Sequence, residues 1–329
     1  MSAEAHTNRR EFLRRLLGAA LTATGAGALG LSFWDRWGPR GTISHTQNLI
    51  LPDFSIPGQT GKISVAHGSD RAQTVTLALN ALGGMKAFVQ PGDKVLLKVN
   101  AAFATPPALG ATTHPQLLSQ VVALCLQAGA GQVMVTDNPI NDPASCFELT
   151  GIGPAARSAG AGVMLPASER FAAYSLPGGH LIRNWPVLCN PLLWADKLIG
   201  LAPVKDHHRS GASLTMKNWY GLLGGPRNIF HQQIHTIIAE LAGMITPSLV
   251  ILDGTQSMMA NGPTGGSLND LKATHTVIAG TDPVAVDTLG AGLLGKTVAD
   301  LPYLALAEKA GAGTVRVEAL HPVEVNGPL

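Results

Sequence analysis

The chain has 329 residues, 46% of them hydrophobic and 13% charged, with a formal net charge of +2 at neutral pH. That length and apolar content allow a large core in one or two domains and exclude a chain disordered through most of its length. Its 38 glycines against 5% aromatic residues suit an α/β packing of small side chains better than a β-sandwich.

At the N-terminus, "NRREFLRR" sets Arg9 and Arg10 ahead of Phe12 and Leu13, and "LLGAALTATGAGALGLSFW" follows. An arginine pair before a modestly apolar run resembles a bacterial twin-arginine export signal. Residues 1–28 are therefore read as that signal, either cut or retained as an N-terminal anchor. Retention stays open because the apolar run approaches the ~18 residues that a membrane span needs. The reading implies the twin-arginine export machinery as a partner and a periplasmic location, tethered to the membrane if the signal is kept. "GAGALG" from Gly25 to Gly30 fits the G-x-G-x-x-G pattern, but no strand precedes it, so it is no dinucleotide fingerprint. Losing residues 1–28 removes four arginines and two glutamates and leaves a formally neutral chain, without the basic footprint of a nucleic-acid binder.

Residues 29–60 carry turn formers such as "RWGPRGT" and "LPDFSIPGQTG", and read as a linker or an arm over the surface of an α/β domain spanning 61–329. "KISVAHG" predicts a strand and Asp70 to Leu82 a helix closed by Gly83 and Gly84. The apolar strand "DKVLLKVN", a helix begun by His114 and Pro115, and the strand "QVMVTD" then form a parallel crossover. A helix from Ala144 to Ala159 and a strand "AGVML" continue the pattern, and residues 166–195 read as a small sub-lobe with a hairpin. "DKLIGLAPVK" predicts a strand ending at Lys205, "IFHQQIHTIIAELAGMI" a helix, and "SLVILDG" a strand ending at Asp253. "HTVIAGTDPVAVDTLGAGLLG" adds a strand, a cap at Thr281 or Asp282 and a helix. The expected fold is α/β: an open, mostly parallel, doubly wound sheet with helices on both faces and a small excursion.

Cys125, Cys146 and Cys189 lie far apart and form no C-x-x-C pair, which argues against a zinc ribbon or an iron–sulfur cluster held by this chain alone. Cys125 reads as a buried helix residue, so no disulfide is expected.

Lys98, Asp137, Lys205 and Asp253 each stand at the carboxyl end of a predicted strand. In an open parallel sheet those ends share one edge, and ligands bind in the crevice there, where strand order reverses. Either aspartate also suits a capping role, and either lysine a salt bridge. The stretch "DHHRSGASLTMKNWYGLLGGPRNIFHQQIH" gathers His207, His208, Arg209, Lys217, Arg227, His231 and His235 just after Lys205, as a wall of such a crevice would. Lys217 and Asn218 open a glycine-containing segment whose backbone N–H groups could approach an anion. His231 and His235 stand four residues apart, so on one α-helix they share a face and could reach one metal. His114 suits a helix cap, and His208 a proton-transfer role near neutral pH. No G-x-S-x-G elbow or cysteine nucleophile motif is present, which disfavours the usual acyl-transfer triads.

Taken together, "GDKVLLKVN", "ATTHPQLLSQVVALCLQAGAGQVMVTD", "MKNWYGLLGG", "VILDG" with "NGPTGG", and "GTDPVAVD" resemble the bacterial and archaeal family called domain of unknown function 362, from Lys62 to Leu294. The resemblance carries over Lys98, Asn100, His114, Asp137, Lys205, Lys217, Asn218, His231, Asp253, Asp282 and Asp287 as matching positions. Many relatives are joined to ferredoxin-like iron–sulfur segments and others carry export signals; this chain is similar to the second sort, with a redox partner on another chain left open.

The expected function is binding of an anionic small molecule, a carboxylate or phosphate, with Lys98, Lys205 and Lys217 as the clamp and His208 or His231 available for proton transfer in catalysis. Asn100, Asp137, Asn218 and Asp253 would bind the ligand, orient the lysines or hold a divalent cation. The alternative is a non-catalytic metal- or cofactor-handling accessory to an exported redox enzyme, centred on His208, His231, His235 and Asp253.

Overall fold

Side-chain alternation in the central strands decides the architecture. Leu249 and Ile251 point to one face of the sheet and Val250 and Leu252 to the other, and all four are buried. A strand apolar on both faces needs a covering layer on each, so helices must lie on both sides. The computed structural model describes residues 49–328 together with Arg10, Arg14 and Leu17. Thr46–Leu329 forms one compact unit and Met1–His45 another. The expected export signal and most of the linker lie outside the described residues.

In chain order the first elements are β1 (Ile63–His67), α1 (Arg71–Ala81), β2 (Lys94–Lys98), α2 (Pro115–Gln127), β3 (Gln132–Thr136), α3 (Pro143–Leu149), α4 (Ile152–Ser158) and β4 (Gly162–Val163). A small two-stranded sheet, β5 (Ala172–Tyr174) with β6 (Trp185–Val187), leads to α5 (Cys189–Trp194). Then come β7 (Lys197–His207), β8 (Gly211–Ser213), α6 (Thr215–Asn218), α7 (Ile234–Met244), β9 (Leu249–Met258), β10 (Leu271–Gly280), α8 (Pro283–Leu293), α9 (Pro302–Lys309) and β11 (Val323–Asn326).

Among the described residues the main sheet has nine strands, ordered β11-β1-β10-β9-β7-β2-β3-β4, with β8 paired to β7. The pairs β9–β7, β7–β2, β2–β3 and β3–β4 are parallel; β10 runs antiparallel to both its neighbours. Helices α1, α2 and α4 cover one face and α5 to α9 the other. The expected fold class therefore holds, a mostly parallel α/β sheet with a small excursion. Caps fall where the sequence places them: Asp70, His114 and Asp282 each accept a backbone N–H in the first turn of α1, α2 and α8.

Four boundaries differ from expectation. The helix expected from Ala144 to Ala159 is two, α3 and α4, parted at Gly151, whose φ of 72° suits glycine and breaks the helical run. The strand expected at "AGVML" pairs only through Gly162 and Val163. Strands β7 and β9 run on past Lys205 and Asp253, to His207 and Met258. The helix expected through His231 and His235 is a 3-10 turn over Arg227–Gln233 followed by α7, with Gln233 extended in φ at −128° between them.

The long β7 positions the site. β2 ends at Lys98, opposite Gly200, so the last seven residues of β7 stand above the end of β2. The chain winds outward through β2, β3 and β4 and returns as β7 on the other side of β2. Strand order thus reverses between β2 and β7, the place where open α/β sheets leave a crevice.

Candidate functional site

The crevice has a charged floor. Lys98, at the end of β2, is wholly buried, and its Nζ lies 2.8 Å from Asp137 Oδ1. It also donates to the carbonyls of Val99 (2.6 Å) and Asn218 (2.8 Å) and to Asn218 Oδ1 (3.1 Å). An ammonium has three N–H donors, so these partners occupy Lys98 fully. Asp137 is equally engaged: Oδ2 accepts from Ala101 N at 2.6 Å and Oδ1 from Asn138 N at 2.9 Å. Burial pulls the Lys98 pKa down while Asp137 opposes it. Lys98 and Asp137 therefore make a saturated buried pair that ties β2 to the loop after β3 and, through Asn218, to α6.

Gly221 lies against that pair. A Cβ there would stand 1.9 Å from Asp137 Oδ1 and 2.8 Å from Lys98 Nζ. Gly221→Ala is expected to lower stability by about 1–3 kcal/mol, the usual cost of forcing atoms into a filled core. Denaturant unfolding checks this, and a loss below 0.5 kcal/mol (about the scatter of surface substitutions) would show that the pair shifts freely.

Above the floor is a chamber of about 80 Å³, lined among others by Lys205, Lys217, Arg227, His207, His231 and Asn218. Asp137 is the one carboxylate in its lining among the described residues, and Lys98 already neutralises it. Lys205 Nζ donates to Ala111 O at 2.5 Å and to Asn100 Oδ1 at 3.4 Å, which among the described residues leaves one N–H uncommitted. Lys217 is half-buried, and its Nζ lies 5.1 Å from the Tyr220 ring centre with no hydrogen bond or ion pair among the described residues. Burial lowers the Lys205 pKa to about 7, with repulsion from Lys217 adding to the shift. Burial lowers Lys217 to about 8, and Arg227 adds.

Arg227 closes the chamber as a strap. Nη1 donates to the carbonyls of Tyr220 (3.2 Å) and Leu223 (2.8 Å), and Nη2 to those of Asn138 (2.6 Å) and Pro139 (3.0 Å). Carbonyl dipoles satisfy those donors without cancelling the charge, so the guanidinium still contributes a positive field.

Two neutral imidazoles face the lysines. His207 Nδ1 accepts from Arg209 N and Ser210 N, both at 3.2 Å, which places its proton on Nε2. Burial and then Lys217 push its pKa far down. The Tyr220 hydroxyl donates to Arg227 O, so His231 Nδ1, 3.2 Å from both that hydroxyl and Asn228 O, carries a proton and Nε2 is the acceptor. The rings of His207 and His231 stack with centres 5.9 Å apart. The chamber therefore offers a donor imidazole and an acceptor imidazole beside uncommitted ammonium groups.

Of the residues singled out in the sequence, Lys98, Asn100, Asp137, Lys205, Lys217 and Asn218 meet at this crevice, with Lys98 beneath the chamber rather than in its wall. Asp253 does not join them. It lies within β9, where Arg71 Nε donates to Oδ2 at 2.6 Å and Thr255 N to Oδ1 at 3.0 Å. His208 is exposed at the β7–β8 turn, stacked on His207 with Nδ1 3.3 Å from Gly262 O; alternation turns its neighbour, His207, inward. His231 and His235 share no helix face: His231 meets Tyr220, and His235 stacks on Tyr303 at 6.1 Å. Among the described residues no group of three or more His, Cys, Asp or Glu side chains could hold a metal. Sequence reasoning gave no role to Tyr220 as a chamber residue; its place beside "GLLGG" was the available signal.

A further position carried over by the family resemblance, Asp287 on α8, acts from a distance. Its carboxylate accepts from Thr215 N at 2.8 Å and Met216 N at 3.0 Å and from the Thr215 hydroxyl, and so fixes the start of α6, which carries Lys217 and Asn218.

The chain is similar to known proteins. A thylakoid-associated protein of Synechocystis sp. is 29% identical over 265 residues, which cover 78% of this chain and 79% of that one. Among solved structures, the lactate racemase apoprotein of Thermoanaerobacterium thermosaccharolyticum matches at 14% identity and a TM-score of 0.34, over 62% of this chain and 52% of that one. The chain thus spans about half the length of that structure. The model of the family described as "Domain of unknown function (DUF362)" matches residues 95–292, more than half of the sequence, and with the floor, the chamber wall and the α6 anchor all inside that range, this chain belongs to that family.

Proposed function

We propose that the chamber binds an anionic small molecule through Lys217 Nζ and the free N–H of Lys205. The observation that carries this reading is charge accounting: Lys205, Lys217 and Arg227 line a space whose one carboxylate is already paired with Lys98. Ammonium groups held at low dielectric without a counter-ion are costly, and a bound carboxylate or phosphate removes that cost. The volume of about 80 Å³ admits an oxyanion group rather than a whole metabolite. The same cations and the two imidazoles suit stabilisation of developing negative charge with proton transfer, so the chamber is also a candidate catalytic centre.

The lowered lysine pKa values give the binding a pH signature. In the free protein Lys205 and Lys217 lose their protons near pH 7 and 8 instead of near 10.5. An anion between them favours the charged forms, so binding takes up protons above pH 7. Sulfate, whose charge is constant over this range, is expected to lose on the order of tenfold or more in affinity from pH 7 to pH 9. The free protein moves the other way. Its unfolded state binds more protons than the folded state between pH 7 and the ordinary lysine value, so these two groups make stability rise with pH across that window. Calorimetric titration with sulfate, with thermal unfolding of the free protein, tests both. A sulfate affinity flat from pH 7 to 9, or no sulfate binding at all, would refute the reading.

The export reading is proposed on two observations: the Arg9–Arg10 pair with its apolar run, and the thylakoid association of the Synechocystis relative, support work at or beyond a membrane. Among the described residues no helix is long and apolar enough to cross one.

A further inference from the structure

The chamber adjoins a second, larger space. A cleft of about 660 Å³ is lined by Ile140, Phe171, Pro186, Gly224 and Gly225, and it shares Asn138, Ile140, Tyr220, Arg227 and His231 with the chamber. The chamber has room for a charged head group alone, whereas the cleft has the size of an ordinary ligand pocket. Its lining also changes character: the lysines stay in the chamber, and the cleft presents an aromatic ring, a proline ring and an isoleucine.

Two rings of the cleft wall pack directly on glycine backbone. A Cβ on Gly224 would come within 2.9 Å of the Phe171 ring, and one on Gly225 within 3.2 Å of the Pro186 ring. Only glycine lets both rings lie against that backbone. The Gly225 φ of 59° and the bond from Trp185 Nε1 to Gly224 O at 3.1 Å hold the turn in place. At the lip Ile140 is 65% exposed although it lines both spaces, an arrangement that gains its burial only when something sits beside it.

We infer that the ligand is an amphiphilic acid, a carboxylate or phosphate ester whose anionic group enters the chamber and whose flat apolar body lies in the cleft against Phe171, Pro186 and Ile140. This inference rests on the anion-binding reading above and extends it. Arg227 and Tyr220, shared by both spaces, mark where the head joins the body.

Inorganic phosphate and phenyl phosphate are the probes. Phenyl phosphate is expected to bind at least tenfold more tightly than inorganic phosphate, because its ring leaves water for an apolar wall. Ile140→Ser, at an exposed position, is expected to narrow the ratio of the two affinities by about threefold, and Phe171→Ala, whose ring lines the cleft alone, is expected to narrow it further with inorganic phosphate bound as before. Equal affinities for the two probes would overturn the inference and leave the anion reading standing, as would equal losses for both probes in the variants. Binding of neither probe would overturn both.

Discussion

Asp137→Ala is expected to lower the unfolding free energy by about 3–5 kcal/mol, the cost of leaving one partner of a buried ion pair alone. The size follows from the surroundings. Lys98 is wholly buried, so its ammonium cannot turn to water when the carboxylate is gone, and the backbone N–H of Ala101 loses its acceptor as well. For a unit of this size the loss corresponds to a fall in Tm of roughly 10 °C. Replacing both partners, Lys98→Met with Asp137→Leu, removes the stranded charge and is expected to recover much of the stability, since a buried pair can be exchanged for apolar side chains at little net cost. Denaturant unfolding of the single and double variants makes the comparison. A single-variant loss under about 1 kcal/mol, the range of exposed pairs, would mean that water reaches the pair.

Lys217→Met is expected to do the opposite to stability and far more to binding. Among the described residues Lys217 has no counter-ion, and removing it also relieves the repulsion on Lys205 and His207. The unfolding midpoint should stay level or rise, while sulfate affinity falls by about 10–100-fold through loss of a charge-assisted hydrogen bond. This separation of stability from binding is the mark of a residue kept for a ligand rather than for the fold. If the variant instead unfolds as readily as Asp137→Ala and binds sulfate as the parent does, Lys217 is a scaffold residue and the chamber loses its main contact.

Much of the fold was legible because its signals are local. Apolar strands such as "VILD", caps at Asp70, His114 and Asp282, and prolines in first turns need no knowledge of distant contacts. The meeting of Lys98, Asp137 and Lys205 could be expected from one topological rule, that strand ends share an edge. What the sequence concealed depends on distance and on backbone detail. Asp253 looks like a strand-end residue, yet its partner, Arg71, is 182 positions away, and β9 does not stop where its apolar run does. The pairing of His231 with His235 assumed an unbroken α-helix, and the 3-10 turn before α7 rotates the two rings apart. His207 and His208 could not be told apart until the register of the β7–β8 hairpin was known.

Arg227 lines the chamber, as its place in the cationic stretch suggests, while the groups it bonds to stay hidden in the sequence. Four main-chain carbonyls take its N–H groups, so it joins the loop after β3 to the segment after α6 and leaves the contact with a ligand to the lysines.

The most direct measurement is diffraction from crystals soaked in selenate, a tetrahedral oxyanion that selenium absorption locates unambiguously. An anomalous peak inside the chamber, in hydrogen-bond contact with both Lys217 Nζ and Lys205 Nζ, is the predicted result. A chamber without selenate at saturating concentration, with Lys217 turned outward or paired to a carboxylate of the protein, would contradict the account.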